Sequence, residues 1–150
     1  MTDASIDQLS IIIPAHNEAE NLTDCITGIE KALDKNKIDR EIIVVNDNST
    51  DNTKEVLGNL CQQFKSLKVI ESTTENGFGR AIRLGLNSFS GDAVAIMMAD
   101  LSDSPRDLVR YWEKLQEGHE CVFGSRFLPG SQVVDYPKAK LVANRIVNTA

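Results

Sequence analysis

Two short stretches carry the residue types that handle a charged leaving group. Ala99-Asp100-Leu101-Ser102-Asp103 is acidic, and Phe123-Gly124-Ser125-Arg126, about one strand–helix unit downstream, ends in a guanidinium. Both follow apolar, strand-like segments. Carboxylates can hold the divalent ion that screens a diphosphate, and an arginine can grip its oxygens as a fork. Mg²⁺ and Mn²⁺ in such sites take few protein carboxylates, with phosphate and water filling the other positions, so a single strand-end aspartate such as Asp100 is a suitable ligand. Each residue also has a plainer duty. Asp103 or Ser104 can cap the helix that follows, and one of them is expected to do so. Arg126 can pair with a surface carboxylate, although its place after a glycine and a serine at a strand end favours a diphosphate contact.

Three further motifs follow apolar segments. Pro14-Ala15-His16-Asn17-Glu18 comes first; Asn17 can cap a helix and Glu18 suits its first turn, while the loop can also clasp a nucleoside. Asn46-Asp47-Asn48-Ser49-Thr50-Asp51-Asn52-Thr53 comes second. Ser49 or Asp51 can serve as an ordinary cap there, but a cap does not account for Asp47, placed at a strand tip where a base or ribose can be read. Asn76-Gly77-Phe78-Gly79-Arg80-Ala81 matches only part of a dinucleotide fingerprint and does not lie in the first strand–helix turn. It reads as a tight turn opening a helix. His119, in a polar turn, is expected to be exposed, and His16 to line the pocket.

The elements that must position these motifs alternate regularly. Apolar, β-branched segments at residues 9–13, 41–45, 67–70, 93–98 and 121–123 read as strands, most of them continuous apolar runs covered on both faces. Between them lie helix-period stretches. Leu22, Cys25, Ile26, Ile29 and Leu33 line one face of the first, and Val56, Leu57, Leu60, Cys61 and Phe64 one face of the second. A third runs from Gly79 to about Phe89. In the fourth, Ser104 can cap, Pro105 suits the first helical position, and Leu108, Val109, Trp112 and Leu115 form the buried stripe. This alternation predicts an α/β fold, a mostly parallel sheet with helices on both faces, and in such sheets ligands gather at the carboxyl ends of the strands. The polar motifs fall at those ends.

The bulk properties narrow the partners. At 150 residues the chain has the size of one domain, and its 41% hydrophobic and 25% charged residues are ordinary for a globular protein. A net charge of −6 with no basic block disfavours nucleic acid or an anionic membrane surface as the main partner. Cys25, Cys61 and Cys121 have no metal-ligand spacing and are expected to be buried free thiols, which places the protein in a reducing, cytoplasmic setting. The start is polar rather than signal-like, and no apolar run approaches a membrane span of ~20 residues. The last helix-like stretch carries an apolar stripe (Leu141, Val142, Ile146) and no stop signal, so the chain is expected to be the front part of something longer. Membrane association would then come only through sequence beyond residue 150.

Taken in order, residues 12–18, 44–53, 76–81, 98–105 and 124–127 resemble the family 2 glycosyltransferases of the GT-A nucleotide-sugar fold. The branch of dolichyl-phosphate mannosyltransferases and bacterial polyprenyl-phosphate sugar transferases is the nearest in pattern. The resemblance spans nearly the whole chain. It implies that Pro14, His16 and Glu18 line the nucleotide site, with Val45 and Asp47 at base and ribose. Met98 and Ala99 would lie along the diphosphate, Asp100 would bind Mg²⁺ or Mn²⁺, Ser102 would add a metal or phosphate contact, and Arg126 would clamp the diphosphate. A further basic residue, Lys138, Lys140 or Arg145, would assist. Residues 1–150 would form the nucleotide-sugar-binding domain, ending before the acceptor-binding part.

Two positions depart from the family pattern. Met98 replaces the first aspartate of the usual Asp-x-Asp, which removes one carboxylate and weakens metal binding unless Asp103 or water compensates. Asn46-Asp47 stands where the family has Asp-Asp. The implied reaction is inverting transfer of a sugar from a GDP- or UDP-sugar to a polyprenyl phosphate or a saccharide. A nucleotide-binding module of the same fold without catalysis is the alternative. A nucleotidyltransferase is disfavoured because the loop after the first strand has neither glycine nor cation. A dehydrogenase is disfavoured because its phosphate loop is missing from the first strand–helix turn.

Overall fold

In a computed structural model, which describes residues 6–125, four parallel strands form one sheet. The elements run β1 (Gln8–Ala15), α1 (Ala19–Lys35), β2 (Asp39–Asn46), α2 (Thr53–Gln63), β3 (Leu67–Glu71), α3 (Phe78–Leu86), β4 (Ala93–Ile96) and α4 (Pro105–Gln116). The strand order is β3-β2-β1-β4, so the chain steps outward from β1 through β2 to β3 and then returns to lay β4 on the other side of β1. All three pairings are parallel, with Ile12 opposite both Ile43 and Ile96.

The continuous apolar runs of β1 and β2 reflect burial on both faces, since successive side chains point to opposite sides of a sheet. Leu9, Ile11, Ile13, Ile42 and Val44 face α1, α2 and α4, and join Leu22, Ile26, Ile29, Leu57, Leu60 and Leu108 in the main core. Ile43 and Val45 face the other way, towards Ala81 of α3. Helix α3 lies close against the sheet there: a Cβ on Gly85 would come within 2.5 Å of Ile12 Cγ2. Among the described residues, the helices are therefore distributed three to one between the faces. The expected stripe of α1 is fully buried, and Ser104 caps α4, its Oγ accepting from the Arg106 amide at 3.3 Å.

The structure corrects several expectations. Strand pairing of β4 ends at Ile96, where the ladder with β1 ends, and Met97 and Met98 lie beyond it. Residues 121–123 form no strand, and Phe123 is 87% exposed. Cys25 is buried as expected, but Cys61 and Cys121 are exposed. Contacts divide the chain into Met1–Glu120 and Cys121–Ala150. Among the described residues, no helix is long and apolar enough to cross a membrane.

Candidate active site

Because the sheet is parallel, the loops after β1, β2, β3 and β4 all leave its carboxyl edge, and strand order reverses around β1. Ligands of open α/β sheets bind at this edge, at such a reversal. The loop after β1 contains His16, Asn17 and Glu18, and the loop after β2 contains Asp47 to Asn52. Since β1 and β2 are neighbours, the two loops meet.

They are joined by side chains crossing in both directions. His16 Nδ1 lies 2.7 Å from the Asp47 carbonyl oxygen. A carbonyl only accepts, so in its neutral form the imidazole carries its proton on Nδ1 and offers Nε2 as an acceptor. The Asn17 amide donates to Ser49 Oγ at 3.0 Å, the Glu18 amide to Thr53 Oγ1 at 2.9 Å and the Ala19 amide to Asp51 Oδ2 at 3.2 Å. In return, Asn17 Oδ1 accepts from the Thr50 amide at 2.8 Å and the Asp51 amide at 3.3 Å. Helix α1 has no cap from its own N-cap residue, Glu18. Asn17 therefore does not cap α1 as the sequence allowed; the free amides at that helix start are satisfied by the neighbouring loop. Asp51 is held below the usual carboxylate range by the Thr53 side chain first, and by the Thr53 and Ala19 amides.

The third loop is tied in by Asp47. Its Oδ2 accepts from the Gly77 amide at 2.7 Å, and Asn48 donates to the Thr74 carbonyl at 2.8 Å from a left-handed backbone at φ 54°. Asp47 is 5% exposed. Val45, expected at base and ribose, is fully buried in the smaller core and can face a ligand only through its backbone. Pro14 is likewise buried, and Glu18, half-buried, accepts from Asn21 Nδ2 at 2.7 Å.

The fourth loop follows β4 on the other side of β1. Ala99 is buried in the main core and Met98 is half-buried, while Asp100 and Ser102 are exposed and Asp103 is half-buried. Asp100 Oδ1 accepts from the Ser102 amide at 2.9 Å across Leu101, whose φ of 58° is left-handed. This turn fixes the carboxylate by one oxygen and leaves Oδ2 without a hydrogen bond from a described residue. Beneath it, the Cys25 thiol points at the Met98 carbonyl, 3.8 Å away. Burial, and then the charges of Asp100 and Glu18, push this thiol up to about 12. A single buried thiol thus feels carboxylates from the loops after β1 and β4.

Among the described residues, no three His, Cys, Asp or Glu side chains gather to hold a metal ion. The donor set fits a minimal site only, with Asp100 Oδ2 as the carboxylate and the remaining positions left to phosphate and water. Arg126, Lys138, Lys140 and Arg145 lie outside the described residues.

Residues 10–149 match the family model described as glycosyl transferase family 2. The chain belongs to glycosyl transferase family 2. It is 35% identical over 130 residues to a dolichol-phosphate mannosyltransferase of Pyrococcus furiosus, covering 87% of this chain and 36% of that protein. It is 28% identical over 137 residues to a dolichol-phosphate mannosyltransferase of Saccharomyces cerevisiae, covering 90% of this chain and 51% of that protein. Among solved structures, the mannosyltransferase PcManGT of Pyrobaculum calidifontis, in complex with GDP-Man and Mn²⁺, superposes with a TM-score of 0.57 at 25% identity, covering 71% of this chain and 33% of that one. TarS of S. aureus in complex with UDP-GlcNAc superposes with a TM-score of 0.61 at 23% identity over 73% of this chain and 31% of that one. The fold is that of the GT-A glycosyltransferases, as the motifs implied. The chain spans about a third of the length of the first curated relatives that it matches.

The cross-loop partners Asn17, Ser49, Asp51 and Thr53 join the two loops, a role the sequence did not show: it offered the first three only as helix caps. Their signal is present, a carboxamide in one strand-end loop and a run of hydroxyls and amides in the next. It becomes readable only once β1 and β2 are known to be neighbours.

Proposed function

We propose that this chain is the donor-binding part of an inverting glycosyltransferase that takes a sugar from a nucleoside diphosphate, a GDP-sugar before a UDP-sugar, and passes it to a polyprenyl phosphate. The carrying observation is the convergence of the β1, β2 and β4 loops on one edge, in a chain whose curated relatives above are dolichol-phosphate mannosyltransferases. The GDP-Man held by PcManGT supports guanine as the base.

In this reading His16 and Asp47 frame the nucleoside, together with Pro14, Glu18 and the backbone of Val45. Met98, Ala99 and Ser102 run along the diphosphate, and Asp100 stands where charge grows. Asp100, with help from Ser102 and Asp103, would hold a divalent ion, which would supply positive charge to the diphosphate. The acceptor oxygen attacks the anomeric carbon from the face opposite the diphosphate. The new C–O bond forms as the bond to the diphosphate breaks, and the configuration inverts. A phosphate acceptor is already anionic, so no protein base is needed; a sugar hydroxyl acceptor would need one. Stabilisation of the leaving group then carries most of the catalysis.

Met98 favours a second reading, nucleotide binding without transfer, because it removes one carboxylate from the usual pair. Calorimetric titration with GDP and UDP, each with and without Mn²⁺, tests the donor site. The expected result is saturable binding of GDP that Mn²⁺ strengthens and Asp100→Ala weakens. A folded chain that binds neither nucleotide would sink the reading. For the full-length protein, binding without transfer of mannose from GDP-mannose to a polyprenyl phosphate would favour the second reading.

A further inference from the structure

We infer that Asn17 is a positioning residue of the donor site, acting through the β2–α2 loop to set where Asp47 and His16 stand. The inference rests on the donor-site reading above. It starts from an exposed polar residue held in an unfavourable backbone conformation, with φ at 58°. Asparagine tolerates the left-handed region better than most residues, but still enters it at some strain. Here the turn aims both the amide and the side chain of Asn17 at the same neighbouring loop. The amide donates to Ser49 Oγ at 3.0 Å, and Oδ1 accepts from Thr50 N at 2.8 Å, Thr50 Oγ1 at 3.3 Å and Asp51 N at 3.3 Å.

One carbonyl oxygen thus gathers three donors from two consecutive residues of a loop that has no regular structure of its own. Those donors lie three and four residues beyond Asp47. Asp47 is fixed at its other end by the ladder, its amide donating to the Ala15 carbonyl at 2.8 Å. The carbonyl of Asp47 orients His16, and its carboxylate pins Gly77 at the start of α3. Asn17 therefore closes a ring that begins and ends at β1: Ala15 to Asp47, along the loop to Thr50 and Asp51, and back through Asn17. Opening that ring leaves the sheet and both helices in place, because the core that holds them lies below it. What it frees is the loop on which Asp47 is mounted. A site whose parts must be ordered on binding binds more weakly than one already ordered, even with every contacting group retained.

Substitutions separate the backbone from the acceptor. Asn17→Gly keeps the left-handed turn and deletes Oδ1; Asn17→Asp keeps an acceptor in the same place, with its charge beside the amino end of α1, where a negative group is favourable. Wild type and both variants are titrated with GDP and UDP, with thermal melts and amide exchange followed in parallel. The expected result is nucleotide affinity about tenfold lower for Asn17→Gly, the scale of one or two lost hydrogen bonds, with recovery to within about threefold in Asn17→Asp. Amide exchange at Thr50 and Asp51 should quicken in the glycine variant while core amides of β1 and β2 stay protected. Binding by Asn17→Gly equal to wild type overturns the inference. So does an equal loss in Asn17→Asp, which would show that the acceptor is not what matters. If wild type binds neither nucleotide, the donor reading falls, and the exchange at Thr50 and Asp51 still decides whether Asn17 holds the loop: unchanged exchange overturns that as well.

Discussion

Two carboxylates at opposite edges of the sheet, Glu41 and Asp100, are used in opposite ways. At the amino edge, Glu41 is 4% exposed, and Glu41 Oε1 accepts from Ser10 Oγ at 2.7 Å, Ser90 Oγ at 3.0 Å and the Gly91 amide at 3.2 Å. The Ser90 amide also donates to Oε1, and Lys68 Nζ meets Oε2 at 2.6 Å. Asp92 nearby accepts from the amides of Asp7 and Gln8. These groups stitch the α3–β4 turn to the starts of β1, β2 and β3. At the carboxyl edge Asp100 is exposed and takes one local amide, with Oδ2 left over. A carboxylate wrapped in donors has its hydrogen-bonding capacity consumed by the fold. One held by a single oxygen keeps capacity for something that is not protein.

The comparison is broken most sharply at Glu41. Burial raises its pKa, but the hydrogen bonds from Lys68, Ser10 and Ser90 outweigh it and bring the carboxyl from 4.5 to about 2. The folded value lies below the unfolded one, so the stabilisation is complete above about pH 4.5 and is lost as pH falls towards 2. Lys68 is 55% exposed, so no buried charge is stranded without Glu41, but each hydrogen bond to a charged group contributes about 1.5–3 kcal/mol and Glu41 gathers several. Glu41→Ala should therefore destabilise on that scale in urea unfolding at neutral pH. Glu41→Gln should flatten the loss of stability between about pH 4.5 and 2 that wild type shows. A wild type as stable at pH 3 as at pH 7 would mean that the amino edge does not depend on this carboxylate.

A smaller effect at the same edge tests how tightly it is built. A Cβ on Gly91 would lie 2.7 Å from Ser10 Oγ and 2.8 Å from the Gln8 carbonyl oxygen. The second of these is backbone inside a strand and cannot move aside. Gly91→Ala should lower stability by roughly 1–3 kcal/mol, the usual range for overpacking, and leave nucleotide binding at the far edge unchanged. A neutral substitution would show that the turn yields, and that the contrast with the opposite edge is one of charge rather than rigidity.

The sequence made β1 and β2 easy to read because burial on both faces leaves an uninterrupted apolar run, as from Leu9 to Ile13. It misled where short apolar stretches lack partners. Cys121, Val122 and Phe123 resemble a strand in composition, yet they pair with nothing among the described residues. Met97 and Met98 extend the apolar run of β4, but the ladder with β1 stops at Ile96, and hydropathy does not report where a neighbour ends. Cys61 sits beside Leu60 at the margin of the α2 stripe, and one helical step of about 100° carries it to solvent. Strand-end motifs made the position of the candidate site legible. Its internal wiring was not, because Asn17 and Asp51 meet only through the lateral order of strands, and strand order is a property of the whole sheet. The weight of the two edges was equally hidden: Glu41 and Asp100 are each a lone acidic residue beside an apolar run.

Asp100 gives the smallest effect on stability and the clearest sharpening of the contrast. Its side chain is exposed and its one hydrogen bond is local, so Asp100→Asn should change unfolding free energy by no more than about 0.5 kcal/mol. The carboxamide still accepts from the Ser102 amide, so the turn through Leu101 survives. What disappears is negative charge at the one oxygen left over. If that oxygen serves a divalent ion, Asp100→Asn should abolish the gain in GDP affinity that Mn²⁺ gives wild type, while binding without metal stays the same or tightens as a charge is removed from beside the diphosphate. A variant that loses stability on the Glu41 scale would place Asp100 among the structural carboxylates and erase the distinction between the edges. A variant that keeps its stability and its Mn²⁺ response would leave the distinction standing and remove the metal from Asp100.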